Sequence, residues 1–346
     1  MLKRLSARER FEAVLSEFEP IIRKAFLDAV ADLRSGVALR VVIERLERRD
    51  IEGALDALNL DRAVYIPLDE AIRRAYSGGG QATVNGMPTL RDPNGAKAVI
   101  RFDAQAYRAV QWVQEHALAS RMVEIDREAA RTIIVDGIAQ GRGVRRVGLD
   151  IAGRINRATG RREGGVIGLT VQQTEHVISM RDRLASGDPA KMRKVFDMGR
   201  RDRRFDRTIA KAIRDEKPLP VETVDRMVAR YSDRLLELRG TTVARTEGMA
   251  AFNEAQMEAY RQAIDKGAVR EADLQKKWIA VGDGRTRHTH MAMNGQAVGF
   301  LGTFQSPSGA TLRYPHDPDA PASERVNCRC RMDITIDFLA RFRRRG

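Results

Sequence analysis

A chain of 346 residues, 43% hydrophobic and 31% charged, carries apolar material for about two folded domains and excludes wholesale disorder. Two cysteines exclude a disulfide scaffold and fit a reducing compartment; no apolar run approaches the roughly 18 residues of a membrane span, and no signal peptide is expected from the charged residues 1–10. Lys and Arg number 61, of which 51 are Arg, against 47 Asp and Glu, a net charge of +14 that fits a polyanionic neighbour and equally fits a solvated basic surface.

The first two-thirds read as helix. Phe11, Val14, Leu15, Phe18, Ile22, Phe26, Val30 and Leu33 recur at three- and four-residue steps and form one apolar stripe. Leu39, Val42, Ile43 and Leu46 repeat the pattern in a shorter helix. Residues 65–100 carry turn chemistry in quick succession: Ser77-Gly78-Gly79-Gly80, Asn85-Gly86, Pro88 and Asp92-Pro93-Asn94-Gly95. This predicts an irregular segment with a short hairpin.

A long helix is expected over 103–141, with Asp103 as N-cap and Tyr107, Val110, Val113, Val123, Ile134 and Ile138 on its buried side. A basic segment follows, with Arg142, Arg145, Arg146, Arg154, Arg157, Arg161 and Arg162. Thr170 and Gln173 form a capping box before the next helix, and 200–207 is dense in charge. Val221, Val224, Met227, Val228, Tyr231, Leu235 and Leu238 mark a helix over 221–238, followed by another over 242–266.

Near Lys276 the period drops towards two. Trp278 opens a buried strand closed by Gly282-Asp283-Gly284, Asn294-Gly295 is a tight-turn signal, and a short strand is expected over 311–314. Cys328, Cys330, Met332, Ile334 and Ile336 alternate with polar residues, which predicts one strand over 328–336. The fold class is therefore mainly α: helical N-terminal two-thirds, then a small α+β C-terminal domain with short antiparallel strands. The expected segments are 1–100, helical with an irregular insert; 101–268, helical; 269–338, the α+β module; and 339–346, a basic tail with Arg343, Arg344 and Arg345.

Three of the five histidines and both cysteines fall in the last seventy or so residues. His290, His316, Cys328 and Cys330 are candidate zinc ligands. On a regular strand, however, residues two apart are separated by about 6.6 Å, whereas two thiolates on one zinc lie within about 4 Å. Chelation by both cysteines therefore needs a bend or bulge; without one, they are small buried hydrophobes. The same spacing disfavours a Cys328–Cys330 disulfide, whose Cβ atoms lie about 3.8 Å apart. Asp283, Arg285, Arg287 and His290 admit a catalytic reading, with His290 as general base, Asp283 orienting it and the arginines clamping phosphate. They also admit a structural reading, in which the arginines pair with Asp283 and loop carbonyls. A metal-assisted hydrolase acting on DNA or peptidoglycan is the alternative function this cluster raises.

The ordered motifs Lys277-Trp278-Ile279, Asp283-x-Arg285-Thr286-Arg287-x-x-His290, Gly295-Gln296, Tyr314-Pro315 and Asn327-Cys328-Arg329-Cys330 resemble the phage Mu F-like minor head protein family, also called head morphogenesis proteins. Upstream, Val243-Ala244-Arg245-Thr246-Glu247 with Asn253 is similar to the family's Ala-Arg-Thr-Glu helix, and Gly168-Leu169-Thr170 with Gln173 and the 202–209 run are similar to its N-terminal half. The resemblance covers about 165–336. It implies a low-copy virion protein at the capsid interior or portal vertex, made in the host cytoplasm. The implied partners are the portal protein, capsid or scaffold proteins and, nonspecifically, packaged double-stranded DNA. It establishes no catalytic activity. No membrane partner is expected at the assembly stage and no cofactor, with zinc at the His and Cys cluster the one alternative. His288, beside His290, departs from the family pattern and adds a possible ligand. The basic segment and the C-terminal arginines are the candidate DNA or portal contacts.

Overall fold

In chain order the helices begin with α1 (Ala7–Gly36), α2 (Leu39–Glu47), α3 (Ile51–Asp56), α4 (Ile66–Gly86), α5 (Tyr107–Glu115), α6 (Ala119–Ala139) and α7 (Val144–Ala152). The two-residue strands β1 (Arg154–Ile155) and β2 (Arg162–Glu163) precede α8 (Val171–Ala185), α9 (Pro189–Arg193), α10 (Asp206–Arg214) and α11 (Val221–Asp265). The C-terminal part holds β3 (Leu274–Ile279), α12 (His288–Met293), β4 (Ala297–Gly299), β5 (Phe304–Gln305), β6 (Thr311–Leu312), α13 (Ala322–Arg325) and β7 (Arg331–Ile336). The computed structural model describes residues 6–92 and 94–338, so the expected tail with Arg343, Arg344 and Arg345 lies outside the described residues. The chain is mainly helical, with short antiparallel strands concentrated at its C-terminal end.

Four local expectations are corrected. Residues 66–86 are one helix, not an irregular segment. Its glycines serve close approach: a Cβ on Gly79 would lie 3.2 Å from Phe252 Cα, one on Gly78 would lie 2.6 Å from the Phe18 ring, and Gly80 faces Phe102. Tertiary packing thus overrides low helix propensity. The hairpin is confined to the next stretch, where Arg91 and Lys97 form a bridge and Asp92 accepts from the Asn94 and Ala96 amides. The long helix expected over 103–141 is broken into α5 and α6. His116 folds back on the last turn of α5, its Nδ1 2.8 Å from the Trp112 carbonyl and its ring stacked on Trp112. Asp103 instead shapes a turn by accepting from the Gln105 amide. The buried side is Ala109, Trp112, Met122, Ala129, Ala130, Ile133 and Ile134, while Tyr107 and Ile138 face solvent. The helices expected over 221–238 and 242–266 are one, α11, in which Gly240 lies where a Cβ would sit 3.2 Å from Leu27. Finally, β7 starts at Arg331, so both cysteines precede it.

The chain forms two compact units that cut across the expected sequence segments. One comprises Lys24–Leu68 and Leu118–Gly240. In it, α6 packs against α3, α7 and α8, and α8 starts from the expected capping box, with Thr170 and Gln173 bonded reciprocally. At its centre the buried Asp126 accepts from Tyr65 Oη at 2.6 Å and from the Gly168 amide at 2.9 Å. The buried Arg34 donates to the carbonyls of Gly165 and Ile167. Gly168 has φ +91°, and a Cβ there would sit 2.6 Å from Val30, which explains the glycine of the Gly-Leu-Thr motif.

The other unit comprises Met1–Arg23, Asp69–Ala117 and Thr241–Gly346. Its three-stranded antiparallel sheet has the order β4-β3-β7, with Trp278 opposite Met332 and Lys276 opposite Ile334. Trp278, Phe300, Phe304, Leu312, Tyr314, Met293 and Met332 form a continuous core with Met257, Tyr260 and Ala263 of α11. Lys276 is buried on the same face of β3 as Trp278. It donates to the carbonyls of Gly302 and Arg313 at 2.7 and 2.8 Å.

Candidate functional site

The ends of β3 and β7 carry the site. After β3 the chain turns through a loop built around Asp283, which accepts from the Arg285 amide at 3.1 Å and from Thr286 Oγ1 at 3.2 Å. Arg329 grips the same carboxylate with both guanidinium nitrogens, at 2.6 and 2.5 Å. Those bonds, the two-pronged Arg329 contact foremost, hold the Asp283 pKa well below the usual carboxylate range. The other side of the loop is tied back by Asn294, whose side chain accepts from the Ala280 amide, and by Gly295 and Gln296, which exchange backbone bonds with Trp278. Arg287 donates to the Val326 carbonyl at 2.6 Å.

This frame sets His290 on α12, 1% exposed, in a T-shaped contact with the Trp278 ring. His290 Nε2 is 2.8 Å from Glu324 Oε2, and its Nδ1 is 3.3 Å from Cys328 Sγ and 3.4 Å from Cys330 Sγ. Both cysteines are free and buried. The Cys330 amide donates to Cys328 Sγ at 3.3 Å, so the chain bends here and turns both sulfurs towards one imidazole. Glu324 is held by Ser308 Oγ at 2.7 Å and Ser306 Oγ at 3.2 Å. Burial opposes its charge, but these bonds and His290 prevail and its pKa is lowered. Burial likewise opposes an imidazolium at His290, yet Cys328 and Glu324 leave its pKa raised. The Cys328 thiol is pulled down by its bond with Cys330 and by His316 and His290. The Cys330 thiol is pushed up by that same bond and by burial. His316, fully buried with φ 67°, donates from Nε2 to the Cys328 carbonyl at 2.8 Å, and its Nδ1 has no hydrogen-bond partner.

The structure brings His290, Cys328 and Cys330 together and sets His316 beside them. It separates two other residues: Asp283 pairs with Arg329 rather than orienting His290, and His288 is exposed. The proposed Asp283–His290 catalytic pair is therefore corrected, because Glu324 occupies the orienting position. Sequence reasoning missed Glu324, Ser306 and Ser308. The available signal was a single acid between a proline-rich loop and the cysteine pair, at no diagnostic spacing. Arg285 is exposed and only distantly paired with Asp283.

The motif on α11 closes the site from behind. Thr246 Oγ1 accepts from the Asn327 amide at 2.9 Å, and Arg245 donates to Asn327 Oδ1 at 3.3 Å. Asn253, fully buried, donates to the Pro315 carbonyl at 2.9 Å. The Ala-Arg-Thr-Glu, Tyr-Pro and Asn-Cys-Arg-Cys motifs are thus one hydrogen-bonded assembly.

The basic segment divides by role. Arg142 pairs with Asp136 and Asp150, Arg146 and Arg154 with Asp225, and Arg162 with the Gly153 carbonyl. Arg145, Arg157 and Arg161 are exposed. Among the described residues, no helix is long and apolar enough to cross a membrane.

Residues 205–333, which contain the α11 motif and nearly the whole C-terminal sheet, match the family described as phage Mu protein F like protein. An uncharacterized protein of Bacillus subtilis (strain 168), YqbB, is 35% identical over 102 residues. That match covers 29% of this chain and 31% of the relative, so the chain spans about a third of the length of the curated relative it matches. No solved structure matches the chain. The match over residues 205–333 supports the phage Mu F-like head morphogenesis protein family for that segment of the chain.

Proposed function

We propose that this protein is a low-copy component of a phage head that docks on the portal and contacts packaged double-stranded DNA without reading its sequence, acting in head assembly and in DNA packaging or delivery. The observation that carries the reading is the family match over 205–333, a segment whose motifs here serve to lock the C-terminal module together. Exposed Arg145, Arg157 and Arg161 are the contacts we assign to DNA phosphates or to an acidic portal surface, a binding mode that needs no base-reading element. Burial of His290, His316, Cys328 and Cys330 favours a non-catalytic role, since a hydrolase must admit a phosphate or peptide to its base.

Quantitative mass spectrometry of purified DNA-full particles tests the proposal. A fixed ratio at or below one chain per portal subunit is expected. Absence of the chain from particles overturns it.

A further inference from the structure

The buried histidine–cysteine cluster has a geometry that hydrogen bonding alone leaves incomplete. We propose that His290 Nδ1, His316 Nδ1, Cys328 Sγ and Cys330 Sγ bind one zinc ion in a closed, structural Cys2His2 site. This inference does not depend on the role in the phage head.

Three ligand atoms are already convergent. Those of His290, Cys328 and Cys330 lie within 4.8 Å of one another. Zinc bonds of about 2.0–2.1 Å to nitrogen and 2.3 Å to sulfur, at tetrahedral angles, place N and S about 3.5 Å apart. The nitrogen–sulfur separations here are 3.3 and 3.4 Å. The bend before β7 supplies what a straight strand cannot, two sulfurs two residues apart facing one point. The Cys330 amide bond to Cys328 Sγ at 3.3 Å holds that bend and stabilises a thiolate.

The outer partners fix each imidazole for ligation. An ionised Glu324 can only accept, so His290 carries its proton on Nε2 and turns the Nδ1 lone pair to the sulfurs. A carboxylate behind a ligating histidine is the usual second partner in zinc sites, and Ser306 and Ser308 in turn hold Glu324. The Cys328 carbonyl likewise can only accept, so His316 carries its proton on Nε2. Its Nδ1 lone pair is then buried without a partner, at a residue held in the left-handed region. A buried polar atom left unpaired is costly, and a metal bond removes that cost. The Nε2 bond to the Cys328 carbonyl at 2.8 Å sets the His316 imidazole beside the cysteine pair.

Two thiolates and two imidazoles select zinc over magnesium or calcium, which take oxygen ligands. Binding is ligand exchange without redox change: Zn2+ enters, each thiol releases one proton to solvent, and the ion leaves its waters.

The test uses the full chain, equilibrated with one equivalent of zinc chloride and freed of loose metal by gel filtration. About one zinc per chain is expected by elemental analysis. Replacement by cobalt(II) should give a thiolate-to-metal band in the near ultraviolet and the intense visible bands of a tetrahedral ion. His316→Ala should shift the visible bands and keep the near-ultraviolet band, while Cys330→Ser should roughly halve the latter. A folded protein that retains no zinc overturns the site, as does a cobalt spectrum without thiolate bands. Unchanged visible bands in a folded His316→Ala variant overturn the assignment of the fourth ligand. The wild-type measurements stand even if a variant fails to fold.

Discussion

Thr246 and Asn327, 81 positions apart, are joined by a single hydrogen bond of 2.9 Å from the Asn327 amide to the threonine hydroxyl. Asn327 sits at φ 54°, a conformation asparagine tolerates better than most residues, immediately before Cys328. Thr246→Val removes the acceptor and keeps the shape, leaving the amide unsatisfied. The expected loss is about 1–3 kcal/mol of unfolding free energy, with Thr246→Ser close to wild type. Urea denaturation followed by circular dichroism checks this; equal stability of the valine variant would remove the role given to the bond.

Asn253 makes the second tie, to the Pro315 carbonyl, from a fully buried position on α11. Asn253→Ala leaves that carbonyl without its donor. A destabilisation of about 2 kcal/mol is expected, visible as a lower urea midpoint at unchanged slope. A variant as stable as the parent would mean another donor replaces the amide.

Gly79 reverses an ordinary rule. Exchanging a mid-helix glycine for alanine normally stabilises by about 1 kcal/mol. Here the added methyl would meet the Phe252 backbone, with Cα at 3.2 Å, and overpacking costs about 1–3 kcal/mol. Gly79→Ala is expected to lower the melting temperature. A rise would show that α4 and α11 can separate enough to absorb the methyl.

Lys276 makes stability depend on pH. Burial, reinforced by Arg261 and Arg313 and opposed by Asp317 and Glu254, pushes its pKa down to about 8 from the ordinary 10.5. Between those values the unfolded chain holds a proton that the folded chain has released, so stability rises with pH across the window. Below about pH 8 the penalty is fully present, on the order of 3 kcal/mol. Lys276→Met should flatten the rise. Parallel urea titrations of the two proteins between pH 7 and pH 10 isolate the contribution (roughly the window set by linkage), and identical slopes would refute it.

Arg157 and Arg161 bear on the proposed DNA contact. If both touch phosphates, replacing them with alanine should weaken binding to any duplex alike and reduce the slope of log K against log salt by about 2. An unchanged slope would assign the contact elsewhere.

The sequence made helices legible wherever one apolar face was long enough, as from Phe11 to Leu33, and it made the capping box at Thr170 legible because that device is local. It did not reveal α4, because Gly78, Gly79 and Gly80 read as turn residues until Phe18, Phe252 and Phe102 are known to lie against them. Alternation from Cys328 to Ile336 read as one strand because periodicity carries no information about where hydrogen-bonded pairing begins. The four metal-ligand candidates were legible by residue type and the requirement for a bend by arithmetic. The bend is held by a bond between residues two apart that no alternation pattern announces, and Glu324 behind His290 depends on a contact 34 residues apart.

The unit that houses the cluster is assembled from three separated stretches of chain, the last being Thr241–Gly346. On the ribosome, residues 69–117 emerge well before the strands and α11 turns they pack against. At about 5–20 residues per second, they wait on the order of ten seconds with Met87, Leu90 and Phe102 uncovered. Removing the C-terminal hundred residues therefore does not trim a module from a finished body. It strands the earlier segments without a core, and a deletion phenotype at this end reports on the folding of residues far upstream as much as on the residues removed.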